Sequence, residues 1–299
     1  MGHLFVIHGD LTHLVADAIV YSTRRALDDA GDLYSAFAEH LPGFAESLTF
    51  LRQKKLSLEV GEAFWIMRPT PGQSGVVGAI SVGGAQGKHE RSAKAVQNAI
   101  RVAVQGLRED GRKGELSIAL PTFLTGRGGG KGELLTLAKT QLQAAQKVLS
   151  EPGMELVDVV FVTFTASVFH AYINVRRLLP RPNHGLPPPP PELVRALRDR
   201  SCVLFAGSGL SIPAGLGSWN QLVTSLKDKL GLGNEALPDQ IDAYLDLAQW
   251  YRDAVPDGAP DDLDTLIAQQ FGGPEDELRP TLAHYLLFSL KMRTLVTTN

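Results

Sequence analysis

The chain has 299 residues, 44% of them hydrophobic and 20% charged, a formal net charge of −3 and a mean hydropathy of −0.02. That length suffices for two hydrophobic cores, and that charge supplies no global basic field for nucleic acid or an anionic membrane surface. The single cysteine, Cys202, precludes an internal disulfide or a multi-cysteine zinc cluster; no apolar run reaches membrane-spanning length, and MGHLFVIHGDLTH lacks a signal-peptide pattern. A reduced, cytoplasmic setting is the expectation, with Cys202 buried at the start of an apolar strand rather than reactive.

Residues 4–7 read as a strand and residues 17–22 contain a second one, Ala18-Ile19-Val20-Tyr21. His8-Gly9-Asp10-Leu11-Thr12 forms the turn between them and caps a short helix. Helical and strand patterns then alternate. Residues 31–40 read as a helix, 62–67 and 76–82 as strands. Residues 90–108 form a helix with Ala93, Val96, Ala99, Ile100, Ala103, Val104 and Leu107 at helical spacing. Residues 116–120 are a buried strand, 133–149 a long amphipathic helix, 157–164 a strand and 167–179 a closing helix. This alternation predicts an α/β sandwich around a mixed or parallel sheet.

Order and motifs over residues 4–179 resemble a macro domain, the ADP-ribose-binding fold, which implies a three-layer α/β/α sandwich. Gly9-Asp10-Leu11-Thr12 resembles that family's glycine-aspartate-isoleucine-threonine element, so the resemblance places Asp10 on the adenine amino group, with Leu11 beside it. A carboxylate accepting from an exocyclic amine selects adenine, because guanine presents a carbonyl at that ring position. On residue type alone, the cap of a turn is the favoured reading of Asp10. PTFLTGRGGGKG, residues 121–132, resembles the second phosphate loop, placing Thr125, Gly126, Arg127, Gly128, Gly129 and Gly130 around the diphosphate. Its glycine-lysine step is wrongly spaced for a Walker A loop, and Arg127 and Lys131 read either as phosphate partners or as solvated loop charges. Gly31 aligns with the loop under the distal ribose. Tyr21-Ser22-Thr23-Arg24 stands where hydrolytic members carry asparagines, which favours a binding or sensing module over an ADP-ribosyl hydrolase. The eight histidines show no metal-ligand spacing, and no metal is expected.

RPNHGLPPPPP, residues 181–191, reads as a stiff polyproline spacer, with an SH3-type ligand as the other reading. The expected division is residues 1–180, a linker at 181–192, and residues 193–299. Residues 192–199 are a short helix. Val203-Leu204-Phe205-Ala206 then reads as a strand buried on both faces, opening into Gly207, Ser208 and Gly209, a turn that lets backbone N–H groups approach a pyrophosphate. Helices follow at 219–230, 239–251, 261–271 and 279–288, with Trp250 and Tyr251 expected in the core.

Gly207-Ser208-Gly209-Leu210-Ser211, followed by Gly215, Trp219 and Asn220, resembles the sirtuin signature. Gly217 stands in place of a proline, Trp219 of a phenylalanine and Asn220 of an arginine. These departures resemble the bacterial sirtuin-like branch associated with NAD hydrolysis in anti-phage defence. TLVTTN, residues 294–299, resembles the second family strand, and Asn299 the asparagine that holds NAD near the scissile bond. The resemblance implies the N-terminal part of a Rossmann domain with a helical insertion, the remainder lying beyond Asn299, and little activity in these residues alone. It implies NAD as cofactor at Gly207, Ser208, Gly209, Ser211, Gly215, Trp219 and Asn220, with Asn299 catalytic. The leading expectation is an NAD glycohydrolase with a macro-like module for ADP-ribose or a related nucleotide. The alternatives are a non-catalytic nucleotide sensor or oligomerisation module, and an ADP-ribosyl hydrolase or NAD-dependent deacylase. A nucleotide ligand and a second copy of the chain are the expected partners; a membrane and nucleic acid are not.

Overall fold

Apolar runs in the first half of the chain become strands because their alternate residues have helices to bury against on both sides. The computed structural model describes residues 2–27, 32–54, 58–70, 73–82, 87–125, 131–180, 187–233, 241–272, 278–290 and 292–297. It divides into two units, Met1–Pro188 and Pro189–Asn299.

In the first unit, β1 (His3–His8), β2 (Ala18–Arg24), β3 (Ala63–Met67), β4 (Gly75–Val82), β5 (Leu116–Pro121) and β6 (Val157–Thr163) form a six-stranded sheet in the order β1-β6-β5-β2-β4-β3. All neighbours are parallel except β3, which runs antiparallel to β4 at one edge, so the sheet is mixed. The helices are α1 (Asp32–His40), α2 (Phe44–Gln53), α3 (Lys88–Glu109), α4 (Leu134–Leu149) and α5 (Ala166–Leu178). Strand side chains alternate between faces. Val20, Val77, Ile118, Val159 and Phe161 join one core with Val96, Ile100, Leu137, Leu142 and Tyr172 of α3, α4 and α5. On the opposite face Tyr21 meets Phe37 of α1 and Phe44 of α2, with ring centroids 5.2 and 5.0 Å away. The result is a three-layer α/β/α sandwich.

Helix α2 was not anticipated from the sequence. Its signal is Phe44 and Leu48, one helical turn apart and both buried, after Gly43 in the left-handed region at φ 80°.

The second unit contains α6 (Pro191–Arg198), β7 (Val203–Ala206), α7 (Trp219–Lys229), α8 (Ile241–Ala254), α9 (Leu263–Phe271), α10 (Leu282–Ser289) and β8 (Thr294–Thr297). Leu222, Leu226, Leu247, Tyr251, Leu263 and Leu266 of α7, α8 and α9 form its core. Ser218 and Gln221 cap α7 reciprocally, and Asp262 accepts from Thr265 N–H at the start of α9. Strand β7 pairs in parallel with β8. It is not buried on both faces as expected: Phe205 is 76% exposed, because its described ladder partner is a single strand. Trp250 is likewise 52% exposed while its neighbour Tyr251 is buried, since adjacent residues on a helix point about 100° apart. Cys202 is partly exposed rather than buried.

The close approach of α3 to β3 yields a test. A Cβ at Gly106 would intrude on the Trp65 indole and the Arg68 guanidinium. Gly106→Ala should therefore destabilise the chain by about 1–3 kcal/mol, against the helix-propensity gain of about 1 kcal/mol. Urea denaturation checks this; a raised midpoint would contradict the packing.

Candidate functional site

Five parallel strands place their carboxyl ends on one rim of the first unit, the edge at which ligands generally bind in open α/β sheets. At the end of β1, Asp10 has extended backbone and begins a single 3-10 turn, Leu11–His13. Its Oδ1 accepts from Thr12 N–H at 2.8 Å and Thr12 hydroxyl at 2.7 Å. Its Oδ2 lies 3.9 Å from His13 Nδ1, outside hydrogen-bond range, which leaves lone pairs there for an external donor. Asp10 thus caps the turn with one oxygen and presents the other. Leu11, the next residue, is buried.

The neighbouring strand end is tied in closely. Thr163 hydroxyl donates to Ile7 carbonyl at 2.8 Å and Gly9 N–H donates to Thr163 carbonyl at 3.1 Å. Directly after Thr163 stands Phe164, 77% exposed, its carbonyl 3.3 Å from His8 Nε2. Sequence reasoning assigned Phe164 to the end of a strand and did not single it out as a candidate. The available signal was an aromatic standing between the last strand residue and Thr165, whose hydroxyl accepts from Val168 N–H to cap α5.

Midway along β2, Tyr21 is buried against Phe37 and Phe44, and toward its carboxyl end Ser22 Oγ lies 2.7 Å from Ser81 Oγ on β4. Tyr21 therefore points into the α1 and α2 layer, and a hydroxyl pair bridges the two strand ends; Arg24 is exposed. At the end of β5, Thr125 hydroxyl donates to Thr122 carbonyl at 3.0 Å, and Leu124 between them has φ 62°. Gly31, Gly126, Arg127, Gly128, Gly129 and Gly130 lie outside the described residues, as does the side chain of Lys131.

Glu133, just before α4, joins Lys88 Nζ at 2.7 Å and His89 Nε2 at 2.5 Å, fastening the start of α3 to the start of α4. The Lys88 hydrogen bond first, and then that of His89, holds the Glu133 carboxyl below its ordinary range. Among the described residues no group of three or more His, Cys, Asp and Glu side chains is placed to hold a metal, and no helix is long and apolar enough to cross a membrane.

The second candidate site begins where β7 ends. Gly207 precedes two short 3-10 turns, Ser208–Leu210 and Ile212–Ala214, and Gly215 closes them at φ 91°. A Cβ at Gly207 or Gly209 would meet open space, so both backbones are accessible to a ligand. Ser211 N–H donates to Ser208 carbonyl at 2.9 Å. Gly217 N–H donates to Gln270 carbonyl on α9 at 3.2 Å, and a Cβ there would collide with Gln270. Proline, which the sirtuin signature has at this position, would lack that donor. Trp219 is exposed on the first turn of α7, and Asn220 carbonyl accepts from Thr224 hydroxyl at 2.8 Å. Asn299 lies outside the described residues.

The first unit is thus an α/β/α sandwich whose carboxyl rim carries an acidic acceptor, an exposed aromatic ring and hydroxyl groups. No family model matches the chain. It is 34% identical over 109 residues to the macro domain-containing protein in gbd 3'region of Cupriavidus necator, a match covering 34% of this chain and 62% of that protein. The match therefore spans about 62% of the length of this curated relative. Among solved structures, the chain is similar to the Oceanobacillus iheyensis macrodomain with ADP, at 19% identity and TM-score 0.47, covering 58% of this chain and 89% of that one. It is also similar to the Trypanosoma brucei macrodomain in complex with ADP-ribose, at 19% identity and TM-score 0.45, covering 57% and 68%.

The Glu133 link carries a pH prediction. Its carboxyl is depressed in the folded chain, so its stabilisation is fully present above the unfolded value of about 4.3 and is lost as pH falls through the folded value. Glu133→Gln should flatten the acid limb of the stability curve between about pH 5 and pH 2. Urea midpoints across that range read the effect, and an unchanged slope would contradict it.

Proposed function

We propose that the first unit binds ADP-ribose or a related adenine nucleotide at the carboxyl rim of its sheet. The observation that carries this reading is the Asp10 carboxylate, fixed through Oδ1 by Thr12 and open at Oδ2. That oxygen accepts the adenine amino hydrogen, and the exposed ring of Phe164, which directly follows the Thr163 paired with His8, offers an apolar face to the base. Leu11, buried next to Asp10 in sequence, is assigned to the same base site. Gly31 and the segment Thr125, Gly126, Arg127, Gly128, Gly129 and Gly130 are assigned to the ribose and diphosphate. The similarity to a macro domain-containing protein supports this assignment.

A binding or sensing role is favoured over ADP-ribosyl hydrolysis by the placement of Tyr21. Its ring is committed to the aromatic cluster of α1 and α2, so the position brings no amide to a ribose hydroxyl.

The second unit is proposed as the NAD-binding part of a sirtuin-like NAD glycohydrolase of the anti-phage type. NAD would be held by Gly207, Ser208, Gly209, Ser211, Gly215, Trp219 and Asn220, with Asn299 orienting water or a ribose hydroxyl. The open space at Gly207 and Gly209 supports this, and so does the glycine turn at the end of β7.

Calorimetry with ADP-ribose tests the first assignment. Asp10→Ala should lose about 1.5–3 kcal/mol, roughly ten- to a hundredfold in affinity. Unchanged affinity would remove Asp10 from the site. For the second unit, Gly207→Val should abolish equilibrium NAD binding while leaving ADP-ribose binding intact; undiminished NAD binding would remove the turn from the NAD site.

A further inference from the structure

The turn at the end of β5 is gripped from behind by a side chain with no part in the nucleotide contacts assigned above. Gln141 of α4 is fully buried at 0% exposure. Its Oε1 accepts from Phe123 N–H at 3.0 Å, and its Nε2 donates to Phe123 carbonyl at 2.7 Å. Two opposed hydrogen bonds to one residue fix both the position and the rotation of its backbone. Tyr172 of α5, also fully buried, donates its hydroxyl to the same Oε1 at 2.6 Å. Burial pushes that hydroxyl well above its ordinary value, so it remains a donor through neutral and alkaline pH.

What this network holds is a conformation the chain would otherwise avoid. Leu124, next to the gripped residue, is buried and sits in the left-handed region at φ 62°, where a side chain is strained. Thr125 then folds back on Thr122. A buried amide contributes little net stability beyond an apolar residue of similar shape, because its desolvation offsets its hydrogen bonds. Its distinctive contribution is placement.

We infer that Gln141, braced by Tyr172, is a positioning residue for nucleotide binding, locking the Phe123, Leu124 and Thr125 turn so that the carboxyl end of β5 faces the ligand in one conformation. This rests on the ADP-ribose reading proposed above. The network forms inside one core, with α4 and α5 packed against β5 and β6, so the lock is built before any ligand arrives. Preorganisation of this kind raises affinity by removing the ordering cost from the binding step.

The test uses the full chain, with ADP-ribose as the probe and near-ultraviolet circular dichroism to establish the fold of each variant. Gln141→Glu is informative because a protonated carboxyl reproduces the amide. Its carbonyl accepts from Phe123 N–H and Tyr172, and its hydroxyl donates to Phe123 carbonyl. Ionised, it loses the donor and sets negative charge against that carbonyl. Tyr172 is the titratable group in contact with this position, and it stays protonated over the range used. Relative to wild type at the same pH, Gln141→Glu should bind about tenfold more weakly near pH 8 and recover to within about threefold near pH 6, as the buried carboxyl takes up a proton. Tyr172→Phe, which keeps the grip and removes its brace, should bind about threefold more weakly at both pH values. Affinity equal to wild type in both variants, or a Gln141→Glu deficit with no recovery at lower pH, would overturn the inference. If Gln141→Glu does not fold, Tyr172→Phe decides, and unchanged affinity overturns it. Failure of the wild type itself to bind ADP-ribose would instead overturn the nucleotide reading, and this inference with it.

Discussion

Parallel pairing of β1, β6, β5, β2 and β4 is the constraint on which the first unit depends, because strands running one way bring all their carboxyl ends to the same rim. Such pairing requires crossover connections, and buried parallel strands require cover on both faces. The chain meets both demands with α3, α4 and α5 on one face and α1 and α2 on the other. The candidate site is a consequence of that geometry. Asp10, Phe164, the Thr122 to Thr125 turn and the Ser22–Ser81 pair come from five strand ends far apart in sequence, and the register of the sheet places them on one edge.

Apart from Asp10 Oδ2, the rim is organised by hydrogen bonds between neighbouring strand ends and turns. Thr163 holds Ile7, Thr12 holds Asp10, Ser22 meets Ser81 and Gln141 holds Phe123. Buried polar groups with both partners in place are costly to disturb, so they specify one backbone arrangement. The charged link, Glu133 with Lys88 and His89, is more exposed and joins helix starts rather than strand ends. Its role is to fasten two helix starts, and its contribution is screened by solvent.

Much of this was legible in the sequence where one physical signal dominated. Apolar runs bounded by turn residues located the strands of the first unit, and the periodicity of residues 90–108 located α3. Asp10 was identifiable as a cap, a role its Oδ1 fills, and as a candidate acceptor, for which its Oδ2 is proposed. Where partners decide exposure, local pattern failed. Val203 to Ala206 has the composition of a doubly buried strand, yet its described ladder partner is β8 alone. Gly217 donates its N–H to the Gln270 carbonyl and has no room for a Cβ, constraints set by a residue distant in sequence. Gln141, Gln143 and Gln146 are alike as residue types. Only Gln141 falls on the apolar stripe of Leu137, Ala138, Ala145 and Val148, and that stripe was the signal that would have singled it out.

The central claim is that nucleotide recognition belongs to the carboxyl rim of the first unit. Hydrogen–deuterium exchange of the full chain with and without ADP-ribose tests it most directly, since it reports each strand end separately. The account predicts slowed exchange in residues 9–14, 122–134 and 163–168, with residues 203–220 unchanged. Protection confined to residues 203–220, or none at the three strand ends under saturating ligand, would contradict it.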